Sequence, residues 1–225
     1  MLDVAIRRPD GSAAVDLGRR GAPPPPLPVS AALTGLLPDG LRRGSTVSVA
    51  GSLSLLLALL GAASADGAWC ALVGFPVISA EAAAEYGIAL PRLAIVPAPG
   101  SGWTTAVGAL LDAVDVVAVR PPGRGLPPGD VRRLAARART RDAVLVAYLT
   151  AAQSWPGAEV RLAARAGEWT GIGAGSGRLQ ARRIEVSAEG RGSAARPRSV
   201  ALWLPAHGGG VGGVEPLAPV VDLAG

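Results

Sequence analysis

Between Val47 and Leu149 the apolar positions fall into two alternating textures. Short continuous runs at Val47 to Ala50, Trp69 to Val73, Leu93 to Val96, Asp115 to Val119 and Ala143 to Leu149 predict buried strands. Stretches with helical spacing separate them at Leu53 to Ala63, Ser79 to Tyr86, Thr104 to Leu111 and Val131 to Thr140. Near-continuous Val, Leu and Ala strands alternating with helices predict an α/β fold whose mainly parallel sheet is flanked by helices on both faces. After Trp155-Pro156-Gly157 the pattern changes. Glu159 to Ala163, Arg182 to Ser187 and Ser199 to Leu204 are joined by Gly-rich connections and predict a C-terminal antiparallel meander.

The two ends differ from this middle. Residues 1 to 28 hold Gly21-Ala22-Pro23-Pro24-Pro25-Pro26 and scattered charges, a composition that favours polyproline II and predicts a flexible leader. Residues 206 to 225 predict a Gly-rich linker followed by a short apolar tail, with Leu217 between Pro216 and Pro219 and Val220, Val221 and Leu223 after them. One folded domain over 29 to 205 is expected, because 225 residues at 49% hydrophobic content suffice for a single sizeable core.

Charge and chemistry narrow the function classes. The formal net charge is +5, and every one of the 22 basic residues is arginine. That balance is compatible with nucleic acid as a partner, although an Ala- and Arg-rich composition also follows from coding bias alone. The absence of lysine removes any residue that could serve as a phosphate-loop lysine. Cys70 is the single cysteine, which excludes an intramolecular disulfide and a structural zinc site; within Trp69 to Val73 it is expected to be a small buried apolar residue. His207, the single histidine, has no nucleophile or acid at a matching spacing. The longest apolar stretch, Leu53 to Ala63, is well short of the roughly 20 residues of a membrane span, and no charged-then-apolar leader opens the chain. A cytoplasmic location without membrane contact is the expectation.

The first strand leads into Gly51-Ser52-Leu53-Ser54-Leu55-Leu56-Leu57-Ala58. A phosphate-binding loop needs Gly-x-x-x-x-Gly-Lys-Ser/Thr there, so that backbone amides surround the phosphates while the lysine and hydroxyl meet the terminal phosphate and magnesium. Only Gly51 survives. Leu56 stands at the second glycine, Leu57 at the lysine and Ala58 at the hydroxyl.

The surrounding order of motifs resembles the RecA recombinase family. Leu37-Pro38-Asp39-Gly40-Leu41-Arg42-Arg43-Gly44 resembles the approach to its phosphate loop. Gly67 to Val73, Glu85 to Ile88 and Leu93 to Val96 follow the order of its next strand, helix and strand. Val114 to Val119 is similar to its strand that ends in the magnesium-site aspartate, and Gly129-Asp130 with Leu134 to Arg137 resembles the following helix. The likeness covers about residues 30 to 205 and implies a RecA-like core. It also places Arg120 at the metal-binding aspartate and Pro76 at the water-activating glutamate. These replacements imply a pseudo-ATPase without a cofactor, a metal or catalysis.

The connections that hold single-stranded DNA in RecA, here Arg120 to Gly129 and Gln153 to Ala158, are short. With the degenerate loop, the Arg-rich surface and the trailing tail, the chain resembles the ImuA group, including its actinobacterial branch. That resemblance implies an adaptor in DNA-damage-induced translesion synthesis and mutagenesis. Its partners would be an ImuB-like protein, an error-prone DnaE-type polymerase or RecA. An Arg-rich DNA-binding repair protein and a SulA-like cell-division inhibitor are the alternatives, and an NTPase with an unusual site is disfavoured by the missing lysine.

Candidate contact residues follow. Val131, Leu134, Ala135 and Ala138 mark the apolar side of a helix with Asp130 as its N-cap. Arg132, Arg133, Arg137, Arg139 and Arg141 occupy the remaining face, where they could meet phosphates or an acidic partner or form a solvated surface. The tryptophans Trp69, Trp103, Trp155, Trp169 and Trp203 fall in predicted strands or at their edges, where core packing is the default. Trp155 lies in a loop and could instead stack on a base. The apolar tail could enter a partner's groove or sheet edge. Oligomeric state is not indicated.

Overall fold

The structure, a computed structural model, describes residues 24–123, 125–150, 153–173, 176–191 and 195–214. Its core alternates β1 (Thr46–Ala50), α1 (Leu53–Ala65), β2 (Cys70–Val73), α2 (Ala80–Glu85), β3 (Leu93–Val96), α3 (Trp103–Ala113), β4 (Val116–Val119), α4 (Pro128–Thr140) and β5 (Val144–Leu149). β6 (Val160–Ala164), β7 (Glu168–Gly173), β8 (Ser176–Gly190), β9 (Arg198–Trp203) and β10 (Gly212–Gly213) follow. All the strands join one sheet in the order β10-β9-β8-β6-β1-β5-β4-β2-β3, with β7 beside β8. The expected α/β architecture is present, a mainly parallel sheet with antiparallel strands at its C-terminal end.

Period-2 alternation distributes the strand side chains between two cores. Val116 and Ala118 of β4, with Val144 and Val146 of β5, join the core that contains α1. Val117 and Val119, with Leu145 and Ala147, join the core formed with α3 and α4. α1 is apolar around most of its circumference, and Leu55 to Leu60 are all buried. Each such leucine contributes about 2 kcal/mol relative to exposure. α3 and α4 cover the other face with one apolar stripe each, Val107, Leu110 and Leu111 against Val131, Leu134 and Ala138.

Several expectations need correction. β6 was expected in the antiparallel meander, but it pairs parallel to β1, with Val47 opposite Val160, and antiparallel to β8. It is a sixth parallel strand, and no helix lies among the described residues between it and β5. α4 begins at Pro128 rather than after an Asp130 cap. Proline is suited to this first position because its missing N–H has no helical acceptor there. Asp130 instead lies in the first turn and pairs with Arg133.

The expected leader overlaps the described chain at its end. Leu27 is buried and exchanges backbone hydrogen bonds of 2.9 Å with Leu41 in both directions. Similarly, part of the expected linker is folded: Gly212 and Gly213 pair with Trp203 and Leu202 of β9. The apolar tail residues Leu217, Val220, Val221 and Leu223 lie outside the described residues.

Candidate functional site

Open parallel sheets bind ligands outside the carboxyl ends of their strands. β1 is followed there by Gly51, whose φ of +84° and whose closeness to Ala164 both demand glycine: a Cβ would sit 2.3 Å from the Ala164 carbonyl oxygen. Beyond it, Ser52 caps α1 with its Oγ accepting from Leu55 N–H at 3.2 Å, while its carbonyl accepts from Leu56 N–H at 3.3 Å. A phosphate loop holds its amides free and directed at the ligand. Here helix begins at Leu53, and the Leu55 and Leu56 amides are taken by Ser52. Leu56, Leu57 and Ala58 lie on the first two turns and are all buried.

The neighbouring strand ends carry no carboxylate. After β2, Gly74 is followed by Phe75, which is buried and lies 5.8 Å from the Tyr148 ring of β5, and by exposed Pro76. After β4, the Arg120 N–H donates to the Val73 carbonyl at 2.8 Å, and its carbonyl accepts from Trp103 Nε1 at 3.1 Å. The Arg120 backbone thus anchors the start of α3 while its side chain is exposed. Among the described residues no three His, Cys, Asp or Glu side chains gather as metal ligands. Cys70 is buried, which pushes its thiol up to about 12, so it carries little thiolate at neutral pH.

A cleft of about 310 Å³ lies between the two short connections, lined by residues that include Pro121, Leu126, Val131 and Trp155. Trp155 is only 5% exposed and packs into the α3–α4 core, so its ring has no free face for a base. Trp103 heads a helix rather than a strand, and Trp169 is exposed rather than in the core. His207 packs against Trp203 at 5.4 Å between ring centroids.

The arginine face of α4 is largely neutralised from within. Arg137 grips Asp112 of α3 through Nε at 2.8 Å and through its terminal nitrogen, and Arg141 Nε reaches the same carboxylate at 3.0 Å. Arg133 pairs with Asp130, and Arg139 lies 3.8 Å from Glu159, which also binds Arg42. Arg132 alone of the five has no acidic partner among the described residues.

The Arg137 hydrogen bond, aided by both guanidinium charges, holds the Asp112 carboxyl below its ordinary value of 3.8. Because the folded value is the lower one, the stabilisation is complete above about pH 4 and disappears as pH falls through the folded value. Asp112→Asn is therefore expected to lower the urea midpoint at pH 7, with a difference from wild type that closes below about pH 4. A difference that persists undiminished into acid counts against this pairing.

A candidate surface that sequence reasoning missed lies elsewhere, on the ribbon of β7 and β8. Trp169, Ile172 and Leu179 are exposed there, and the Arg182 guanidinium lies 5.8 Å from the Trp169 ring centroid. The sequence signal was weak, because Gly171, Gly173 and Gly177 interrupt the alternation.

A family model described as the MT3502 N-terminal domain matches residues 35–157. The chain is also 33% identical over 161 residues to "Uncharacterized protein Rv3395c" of Mycobacterium tuberculosis (strain ATCC 25618 / H37Rv), covering 68% of this chain and 78% of that protein. Among solved structures it resembles one titled "Crystal structure of the RadB recombinase", with a TM-score of 0.63 at 14% identity, over 84% of this chain and 100% of the other. That likeness is one of fold, and it identifies the sheet and its helices as RecA-like.

Proposed function

The chain belongs to the family of the MT3502 N-terminal domain, and we propose that it is a RecA-like adaptor without ATPase activity that serves DNA-damage-induced translesion synthesis in the manner of the ImuA group. Its work is to hold proteins together, through contacts with an ImuB-like protein and an error-prone DnaE-type polymerase. The observation that carries this reading is the conversion of the phosphate loop into the buried first turns of α1. Binding a terminal phosphate would require unwinding that helix and exposing three apolar side chains, with no cation supplied in return. Arg120 at the end of β4 adds a positive side chain where magnesium would need an acid.

The reading predicts no measurable binding of magnesium ATP by titration calorimetry, and a stable complex when the chain is co-expressed with an ImuB-like protein. Hydrolysis at rates typical of RecA-like enzymes, or failure of the two proteins to associate at micromolar concentration, would sink it. Truncation after Val214 separates two sources of the contact while keeping β10. A complex lost with residues 215–225 assigns the contact to the tail, and a complex retained assigns it to the folded domain.

A further inference from the structure

Across the described surface, six large hydrophobic side chains are exposed, and Trp169 at 46%, Ile172 at 60% and Leu179 at 50% share one ribbon. The ribbon is structurally isolated. β9 accompanies β8 from Ala188 to Arg183, after which Leu204 N–H donates to the Arg182 carbonyl and the Arg182 N–H donates to the Pro205 carbonyl, the last backbone bonds along that edge among the described residues. From Ser176 to Ala181, β8 has β7 as its only neighbour among the described residues. A two-stranded ribbon with apolar side chains in water is marginally stable, and its open edge is a template for another strand.

The charge on this ribbon is also unspent. The α4 arginines are paired with Asp112, Asp130 and Glu159, whereas Arg178, Arg182 and Arg183 have no acidic partner among the described residues. The buried Nε of Arg182 has no hydrogen-bond acceptor. Glu168 is the one acid in β7 and in β8 up to Arg183.

We propose that the open edge of β8 from Ser176 to Ala181 is the docking site for an extended acidic and apolar segment of a partner protein. The segment adds as a third strand, places apolar side chains on Ile172 and Leu179, and sets carboxylates against Arg178 and Arg182. Nucleic acid fits less well, because two of the three apolar groups are aliphatic and offer no ring for stacking, and Arg182 already lies over the third. The inference rests on the adaptor reading above and names its surface.

The test uses the full chain and three labelled probes followed by fluorescence anisotropy. One is a peptide of about ten residues alternating valine and glutamate, one alternates valine and lysine, and one is oligodeoxythymidine of about twenty nucleotides. The glutamate peptide is expected to bind, the lysine peptide to bind at least about tenfold more weakly, and Arg178→Glu with Leu179→Ser to lose about tenfold for the first. Both substituted positions are exposed, so the circular dichroism spectrum should not change. No glutamate-peptide binding below millimolar concentration, or equal binding of both peptides, overturns the proposal. Oligonucleotide binding that the same variant abolishes overturns it in favour of nucleic acid. If the variant still co-purifies fully with an ImuB-like protein, the ribbon is excluded while the adaptor reading stands.

Discussion

Leu57→Lys should lower the stability of the protein by about 3 to 5 kcal/mol without creating a nucleotide site. Sequence position alone suggests the opposite, since this substitution restores the lysine that a phosphate loop requires. The side chain at 57, however, is 3% exposed in the second turn of α1, among Leu55, Leu56 and Leu60. An ammonium placed there loses its hydration among apolar neighbours. Since whole domains are stable by only about 5 to 15 kcal/mol, the variant should show a sharply reduced urea midpoint. Magnesium ATP should leave that midpoint unmoved, because a ligand that does not bind the folded state cannot stabilise it. A soluble variant of wild-type stability that binds ATP would mean that α1 unwinds easily into a loop.

Gly61→Ala is the second large effect, and here the expected sign runs against helix propensity. Alanine in place of a mid-helix glycine ordinarily stabilises by about 1 kcal/mol. At Gly61, a Cβ would lie 1.8 Å from the Tyr86 carbonyl oxygen and 2.9 Å from its carbon. Both are backbone atoms, so no rotamer change relieves the contact; α1 and the end of α2 must separate. A net loss of about 2 to 3 kcal/mol is expected, seen as a fall in Tm of about 5 to 10 °C. Gly108 of α3 supplies the control. An added Cβ there meets only the flexible Arg137 side chain at 3.5 Å, so Gly108→Ala should be neutral or mildly stabilising. Equal Tm values for the two variants would contradict the close approach at Gly61.

The difference between these glycines marks what the sequence could and could not convey. Strands and helices of the parallel half were legible because each buries apolar residues with its own period, as at Val116 to Val119 and Val131, Leu134 and Ala138. β7 and the first part of β8 were not, because a ribbon exposed on both faces has no reason to alternate. β10 was invisible for a simpler reason: Gly212 and Gly213 have no side chains from which to read a pattern, and their pairing is carried by backbone alone. The loss of the phosphate loop was readable at Leu56, Leu57 and Ala58, since those residue types fail chemically whatever their conformation. The neutralisation of the α4 arginines was not, because Asp112 precedes Arg137 by 25 residues and Arg141 by 29. Proximity of that kind exists only once α3 and α4 pack.

The pairing of β1 has a consequence for how the molecule comes into being. Its two neighbours, β5 and β6, both lie about 100 residues or more further along the chain, as Thr46 opposite Leu145 and Val47 opposite Val160 illustrate. At synthesis rates of about 5 to 20 residues per second, β1 and the apolar α1 emerge many seconds before either strand that flanks β1 exists. Closing loops of that length is slow relative to forming helices, so the interior of this protein is assembled late. The same leucines that stand in place of the phosphate loop are then an exposed apolar segment on the nascent chain, prone to association until the sheet is complete.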